Sequence, residues 1–214
     1  MSRFALTRAQ WIAIVESIAL LVFATGVIQP LSISYATEVA SNPVSDIILS
    51  NIPIFDMDMA FVYGTFLLFG YVSYLCIRNP RRMPFLVNTF SLFVLIRSVF
   101  VMMTHVGPYV VRTTSDFGPT ITHMFFGADF FFSGHTGTPF LFALIFWREP
   151  TIRWIFLIWS VSFATIVLLG HLHYSIDVAG AYFITYSIYH LAIHFFKKSR
   201  EWFLEDDRVE KKAV

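Results

Sequence analysis

Residues 84–104 read PFLVNTFSLFVLIRSVFVMMT, an almost wholly apolar stretch in which Arg97 is the single charge. A helix rises 1.5 Å per residue, so about 20 such residues cross the hydrocarbon core of a bilayer. The stretch also lacks the strict apolar–polar alternation of a barrel strand. It therefore predicts a transmembrane helix.

The composition of the whole chain extends this interpretation. Of the 214 residues, 57% are hydrophobic and 14% are charged, whereas soluble domains carry about 25% charged residues. These values exclude a disordered chain, a fibrous repeat and a disulfide scaffold, and the lone Cys76 cannot form an internal disulfide. A net charge of +1 gives no basic field that would attract nucleic acid, so no nucleic-acid partner is expected. We interpret the chain as a polytopic membrane protein.

Six segments are long and apolar enough to be predicted as spans. They are residues 10–28, 59–77, 84–104, 129–147, 152–169 and 175–196. Prolines flank several of them, and Pro139 inside the fourth predicts a kink. We expect an all-α fold over residues 1–214, a single six-helix membrane domain with no internal repeat.

The basic residues predict how the chain is oriented. Most of them precede the first span, separate the second from the third and the fourth from the fifth, or follow the sixth, while Arg112 is on the other side and Arg97 is inside a span. Cytoplasmic loops are enriched in Lys and Arg. The pattern predicts two cytoplasmic termini, residues 1–9 and a charged tail over 197–214. Residues 30–58 and 105–128 are then outer loops.

Two segments at the predicted outer ends of the spans contain the chemically reactive residues. Residues 128–136 read ADFFFSGHT, and residues 170–177 read GHLHYSID. The topology brings His135, His173 and Asp177 to one face of the membrane at similar depth. Because ionisable groups at membrane depth are costly, their convergence predicts a functional site.

The spacing indicates what that site does. His173 and Asp177 are i,i+4 neighbours, so on a helix the carboxylate can fix the tautomer of the imidazole and leave its other nitrogen as base or nucleophile. His135 follows Ser133-Gly134 at the start of a helix, where free N–H groups favour an anion such as phosphate. These are the parts that phosphoryl transfer needs. Metal binding by His171 and His173 is disfavoured, because side chains at i,i+2 diverge on a helix.

These motifs resemble those of the sphingomyelin synthase family, a branch of the type 2 phosphatidic acid phosphatase superfamily. The resemblance rests on residues 133–136 (SGHT) and 173–178 (HYSIDV), on Asp129 six residues before His135, and on residues 97–104 and 51–56. Ala128 stands where the family has Gly, and the loop at 104–108 departs from the family pattern. The lipid phosphatases of the superfamily carry a Lys-x6-Arg-Pro motif, which is absent here, and an Arg six residues before the second histidine, where this chain has Val167.

The missing cations suit a phosphodiester with one negative charge better than a phosphomonoester dianion. The resemblance implies a compact, bacterial-type transferase that moves phosphocholine or phosphoethanolamine from a glycerophospholipid to ceramide through a phosphohistidine, releasing diacylglycerol. A lipid phosphatase or phospholipase C-like hydrolase is one alternative, and a non-catalytic lipid-binding or transport protein is another. We expect the active site on the outer face, with His173 as nucleophile, His135 as acid and base, and Asp177 as orienting group.

The remaining candidate residues have two interpretations each. Arg97 either clamps a phosphate oxygen or pairs with Asp129 or Glu16, and Asp129 either orients His135 or faces the donor amine. Candidate substrate-binding residues are Arg97, Asp129, Ser133, Gly134 and Tyr174. Tyr174, Tyr109 and the run 130–132 either surround a quaternary ammonium or form an interfacial aromatic belt. No metal or organic cofactor is expected, the partners are a phospholipid donor and a lipid alcohol, and the sequence leaves the oligomeric state open.

Overall fold

A computed structural model describes residues 6–110, 127 and 129–212, with side chains up to residue 205. Arg112, Ala128 and most of the predicted 105–128 outer loop lie outside the described residues. The helices are α1 (Arg8–Phe23), α2 (Gln29–Glu38), α3 (Asp58–Arg78), α4 (Met83–Met103), α5 (Gly134–Ile145), α6 (Pro150–Leu169), α7 (Ser175–Phe195) and α8 (Lys197–Lys212). A π-helical turn, Ala24–Ile28, joins α1 to α2, and a 3₁₀ turn, Pro80–Arg82, precedes α4. No strand occurs in this described part of the chain.

The first helical segment is longer than the sequence indicates. The helix starts at the Thr7 cap, whose hydroxyl accepts the N–H of Gln10 at 3.2 Å, and runs through the π turn to Glu38. Pro30 does not end it, because proline is tolerated in the first turn of a helix and here occupies that position in α2. The predicted end at Ile28 was therefore one short helix too early, by the 10 residues of Gln29–Glu38.

Five of the described helical segments are long and apolar enough to cross a bilayer, namely Arg8–Glu38, Asp58–Arg78, Pro80–Met103, Pro150–Leu169 and Ser175–Phe195. The fourth predicted span, 129–147, is helical only over Gly134–Ile145, which is 12 residues. At 1.5 Å per residue, α5 is about 18 Å long. Residues 129–133 precede it as a non-helical loop, and Arg97 binds the carbonyl groups of Asp129 and Phe132 in this loop.

The core of the bundle lies around α4 and α5. The helix α4 packs against α1, α2, α5 and α7, while α5 packs most extensively against α6 and α7. Large aromatic side chains fill the space between them, and Phe93, Phe132, Phe142, Phe156 and Phe163 are almost fully buried. This packing fixes where α5 and α7 begin, and those two helix starts carry the candidate site.

The loops at one end of the bundle are tied together by backbone hydrogen bonds. Ser41 N–H donates to the His105 carbonyl at 2.8 Å, Phe55 N–H to Leu169 at 2.9 Å, and Ser133 N–H to Asp177 at 3.1 Å. The predicted arginine-rich connections lie at the other end, where Arg82 pairs with Glu149 at 2.9 Å. The two ends thus differ as the sequence predicts, one acidic and histidine-bearing, the other basic.

Candidate active site

Arg97, from the last two turns of α4, holds the loop that leads into α5. Its Nε donates to the Phe132 carbonyl at 2.8 Å, and its Nη2 donates to the Asp129 carbonyl at 2.7 Å and to Asp129 Oδ2 at 2.8 Å. The guanidinium is buried, so these bonds replace the water it would otherwise bind. Of the two interpretations of Arg97, the geometry shows the ion pair with Asp129.

The first turn of α5 is built against this guanidinium. A Cβ on Gly134 would lie 2.9 Å from Arg97 Nε, so the position accepts only glycine unless Arg97 moves. Ser133 is fully buried and caps the helix, since its Oγ accepts the Thr136 N–H at 3.4 Å and donates to Thr136 Oγ1 at 3.2 Å. Both residues therefore determine where His135 is held.

His135 is the first α5 side chain to face the neighbouring helices. Its ring lies against Phe61 of α3 with centroids 4.0 Å apart, and Phe163 of α6 is 5.8 Å away. His135 also interacts electrostatically with His173 and with Arg97. The structure thus brings together the two histidines that the motifs singled out.

His173 and Asp177 form a pair at the start of α7. His173 Nδ1 lies 3.4 Å from Asp177 Oδ2, and both side chains are almost fully buried. The same carboxylate oxygen accepts the Tyr174 N–H at 2.9 Å, which fixes its position. With Nδ1 directed at Asp177, the Nε2 of His173 is the nitrogen left for chemistry.

Tyr174 and two neighbours form an aromatic cluster, Tyr109, Phe130 and Tyr174, beside His173. The Tyr174 ring is edge-on to Tyr109 and to Phe130, and Phe130 is edge-on to His173 at 6.3 Å. The Tyr174 hydroxyl donates to the Gly107 carbonyl at 2.8 Å and accepts the Val44 N–H at 3.3 Å. Burial raises the pKa of this hydroxyl. Tyr174 joins two loops to the site.

Asp46 fastens the loop over residues 39–57 to the site and was not among the predicted site residues. Its Oδ2 accepts the Ser175 N–H at 2.6 Å, and its Oδ1 accepts the N–H groups of Ile48 and Leu49. Burial alone would raise the pKa of this carboxyl, but the three N–H donors outweigh it and lower the pKa. In the sequence, Asp46 is one of several acids in an outer loop. Its partner Ser175 is 129 residues further along the chain, so the sequence could not indicate the contact.

The guanidinium and the histidine of the site each have a carboxylate partner. Arg97 is neutralised by Asp129 at 2.8 Å, and a protonated His173 would be neutralised by Asp177. Val167, at the position where the lipid phosphatases have Arg, is a buried core residue whose carbonyl accepts the N–H of Leu172 at 2.8 Å and of His173 at 3.4 Å. Across the described residues, no group of three or more His, Cys, Asp or Glu is arranged to hold a metal ion.

A known family model matches part of the chain, and the matched part covers this site. The model of the family described as PAP2 superfamily C-terminal matches residues 127–195, a range that contains Asp129, Ser133, His135, His173 and Asp177. No curated protein and no solved structure matches the chain. Members of the superfamily are generally lipid phosphatases or phosphotransferases. The matched residues support placing the chain in the PAP2 superfamily and suggest a lipid phosphatase or phosphotransferase.

Proposed function

We propose that the protein transfers a phosphoryl headgroup, phosphocholine or phosphoethanolamine, from a glycerophospholipid to a lipid alcohol of the ceramide class. The observation that carries the proposal is the buried His173–Asp177 pair at the start of α7, with His135, at the start of α5, near enough to His173 to interact with it electrostatically. Asp177 faces Nδ1 of His173 and leaves Nε2 as the nucleophilic nitrogen. His135 is then the group that moves a proton.

The reaction then takes two displacements. His173 Nε2 attacks the phosphorus, the bond from phosphorus to the glycerol oxygen breaks, and protonated His135 gives its proton to that oxygen, so that diacylglycerol leaves. The acceptor hydroxyl next attacks the phosphohistidine phosphorus, its proton goes to His135, and the phosphorus–nitrogen bond breaks. Two steps through a covalent intermediate let one site serve two lipids in turn.

The charge balance favours a diester donor. A phosphomonoester dianion needs two or more cations around it, whereas here the Arg97 charge is already compensated by Asp129 and Val167 provides none. A diester with one negative charge needs only the N–H groups at the start of α5 and one histidine proton. We place this site on the outer face, because the arginine-rich connections lie at the opposite end of the bundle.

A lipid-product assay tests the proposal. Protein in liposomes receives phosphatidylcholine or phosphatidylethanolamine, each with and without ceramide, and mass spectrometry identifies the products. We expect diacylglycerol and the ceramide phospho-headgroup, both dependent on ceramide. Diacylglycerol with free phosphorylated headgroup, formed without ceramide, would instead identify a hydrolase.

Variants of the two histidines complete the assay. Replacing His135 or His173 by Ala should lower turnover by about 10³-fold or more, as removal of a nucleophile or its proton donor does in other enzymes. His194→Ala, on the exposed face of α7, is the matched control and should retain full turnover. Unchanged turnover in His173→Ala would overturn the proposed mechanism, whereas absence of turnover by the unmodified protein with either phospholipid would favour a non-catalytic lipid-binding protein.

A further inference from the structure

A cavity lies at the end of the bundle opposite the histidines. Its volume is ≈ 420 Å³, within the range of small-molecule sites, and it lies between the start of α4, the end of α5, the second half of α7 and α8. Its lining consists of Phe85, Leu144, Ile145, Trp147, Arg148, Tyr186, Tyr189, Arg200, Phe203 and Leu204. At 1.5 Å per residue, Ile145 is about 15 Å from His135 along α5.

Two arginines line the described part of the cavity. Among the lining residues whose side chains the structure describes, Arg148 and Arg200 are the charged ones and none is Asp or Glu. Both guanidinium groups lie close enough to the Tyr189 hydroxyl to interact with it electrostatically. The neighbouring acid Glu149 is engaged by Arg82 at 2.9 Å. The cavity thus has two guanidinium groups and a phenol, which together suit a phosphate oxygen.

The other walls of the cavity are largely apolar. Phe85, Leu144 and Leu204 contribute to these walls, and two further lining residues, Trp147 and Tyr186, are 50% and 53% exposed. The helix α8 forms one wall of the cavity through Phe203, which is 3% exposed. The Phe203 ring centroid lies 5.8 Å from that of Phe85 and 5.3 Å from that of Phe146. An anion that also carries an apolar chain could pair with the arginines and pack against the apolar side chains.

We propose that this cavity binds an anionic phospholipid, with the headgroup phosphate between Arg148 and Arg200 and an acyl chain along the apolar wall. Basic pockets between membrane helices recognise anionic headgroups in this way, and each Lys or Arg near the surface contributes to the attraction. Soluble phosphates share the phosphate chemistry but leave the apolar wall unfilled. The site is separate from the histidine pair and does not rest on the transferase proposal.

Native mass spectrometry of the full-length protein tests this inference. The probes are phosphatidylglycerol and phosphatidylcholine with the same acyl chains, and glycerol 3-phosphate represents the soluble source. The background is His173→Ala, so that lipid turnover does not affect the bound population. We expect phosphatidylglycerol to bind about tenfold or more tightly than phosphatidylcholine and to resist displacement by an equal concentration of glycerol 3-phosphate.

Charge-removing variants locate the site. Arg148→Gln combined with Arg200→Gln should reduce phosphatidylglycerol binding to the phosphatidylcholine level. Arg148→Gln alone changes an exposed turn residue and should lose part of the preference even if the double variant fails to fold. Arg78→Gln, which removes one charge from the same end but outside the cavity, is the matched control and should keep the preference.

Three results would overturn the proposal. The first is equal binding of the two phospholipids by the unchanged cavity. The second is an equal loss of preference in the Arg78→Gln control, which would indicate general attraction to a basic surface. The third is displacement of phosphatidylglycerol by glycerol 3-phosphate at equal concentration, which would identify a soluble anion as the ligand.

Discussion

At the scale of single residues, the site depends on side chains that position others. Arg97 binds the carbonyl groups of Asp129 and Phe132, and Asp177 fixes both His173 and the Tyr174 N–H. The sequence predicted Arg97, Asp129 and Asp177 as site residues. It could not decide between a clamp on substrate and an internal ion pair, because that choice depends on where a loop 32 residues away folds.

Asp177→Asn tests the orienting role of the carboxylate. The amide oxygen of Asn can still accept the Tyr174 N–H, so the start of α7 should be kept, but the charge that holds the His173 tautomer is lost. In other enzymes, the same change beside a catalytic histidine lowers kcat by about 10⁴-fold, and we expect a fall of about 10²–10⁴-fold with little change in KM. Steady-state kinetics in liposomes checks this, and a kcat within twofold of the unchanged protein would refute the role.

Gly134→Ala tests the contact between α5 and Arg97. The new Cβ would lie 2.9 Å from Arg97 Nε, so the guanidinium or the helix must move and His135 moves with it. We expect turnover to fall about tenfold or more, since small displacements of reacting groups are costly. Gly70→Ala in α3, where no atom lies within 4 Å of the added Cβ, is the control. It should retain activity and gain up to about 1 kcal/mol of stability, and equal turnover in both variants would contradict the prediction.

At the scale of elements, the long apolar helices were predictable and the interruptions were not. Hydropathy and length identify α3, α4, α6 and α7 because each is nearly uniformly apolar over about 20 residues. The segment 129–147 is equally apolar, yet its first part is a loop, because Arg97 binds its carbonyl groups in place of helical N–H donors. Hydropathy does not register such a contact.

The loop over 39–57 provides a pH prediction at this scale. The pKa of Asp46 is lowered from its ordinary value of 3.8, so the stability from its hydrogen bonds is present above that pH and is lost as pH falls through the lower folded-state pKa. Asp46→Asn should therefore unfold at a lower temperature than the unchanged protein at neutral pH, by an amount equivalent to about 1–3 kcal/mol.

Thermal unfolding in detergent at several pH values checks this linkage. We expect the difference in unfolding temperature between the two proteins to stay constant from about pH 8 to pH 5 and to close below about pH 4. A difference that is already absent at neutral pH would show that the Ser175 contact contributes nothing. A difference that persists unchanged at the lowest pH would show that the carboxylate charge is not its source.

At the scale of the whole molecule, the two ends of the bundle have different chemistry. Histidines and carboxylates gather where α5 and α7 begin, and arginines gather around the cavity where α5 ends. The basic end predicts a cytoplasmic location, which places both termini inside and the histidine pair outside. The difference between the two ends could be predicted from the order of the charged loops in the sequence. The cavity could not, because it depends on how Phe203 of α8 packs against the bundle.

Cysteine labelling tests the orientation. In a Cys76→Ser background, Ile47→Cys, at a loop residue 82% exposed, should react with a membrane-impermeant maleimide applied to intact cells. Lys198→Cys, at an exposed position of α8, should react only after the membrane is permeabilised. The opposite labelling pattern would place the histidine pair on the cytoplasmic side and contradict the predicted topology.

The central claim is that His173 carries the headgroup covalently, and trapping that intermediate tests it most directly. The protein in liposomes is mixed with phospholipid labelled with radioactive phosphorus in its headgroup, without acceptor, then quenched in base and digested. We predict an acid-labile, base-stable label on the peptide that contains His173, which moves to ceramide when ceramide is added before the quench. Turnover with no labelled peptide, or with the label on His135, would contradict the account.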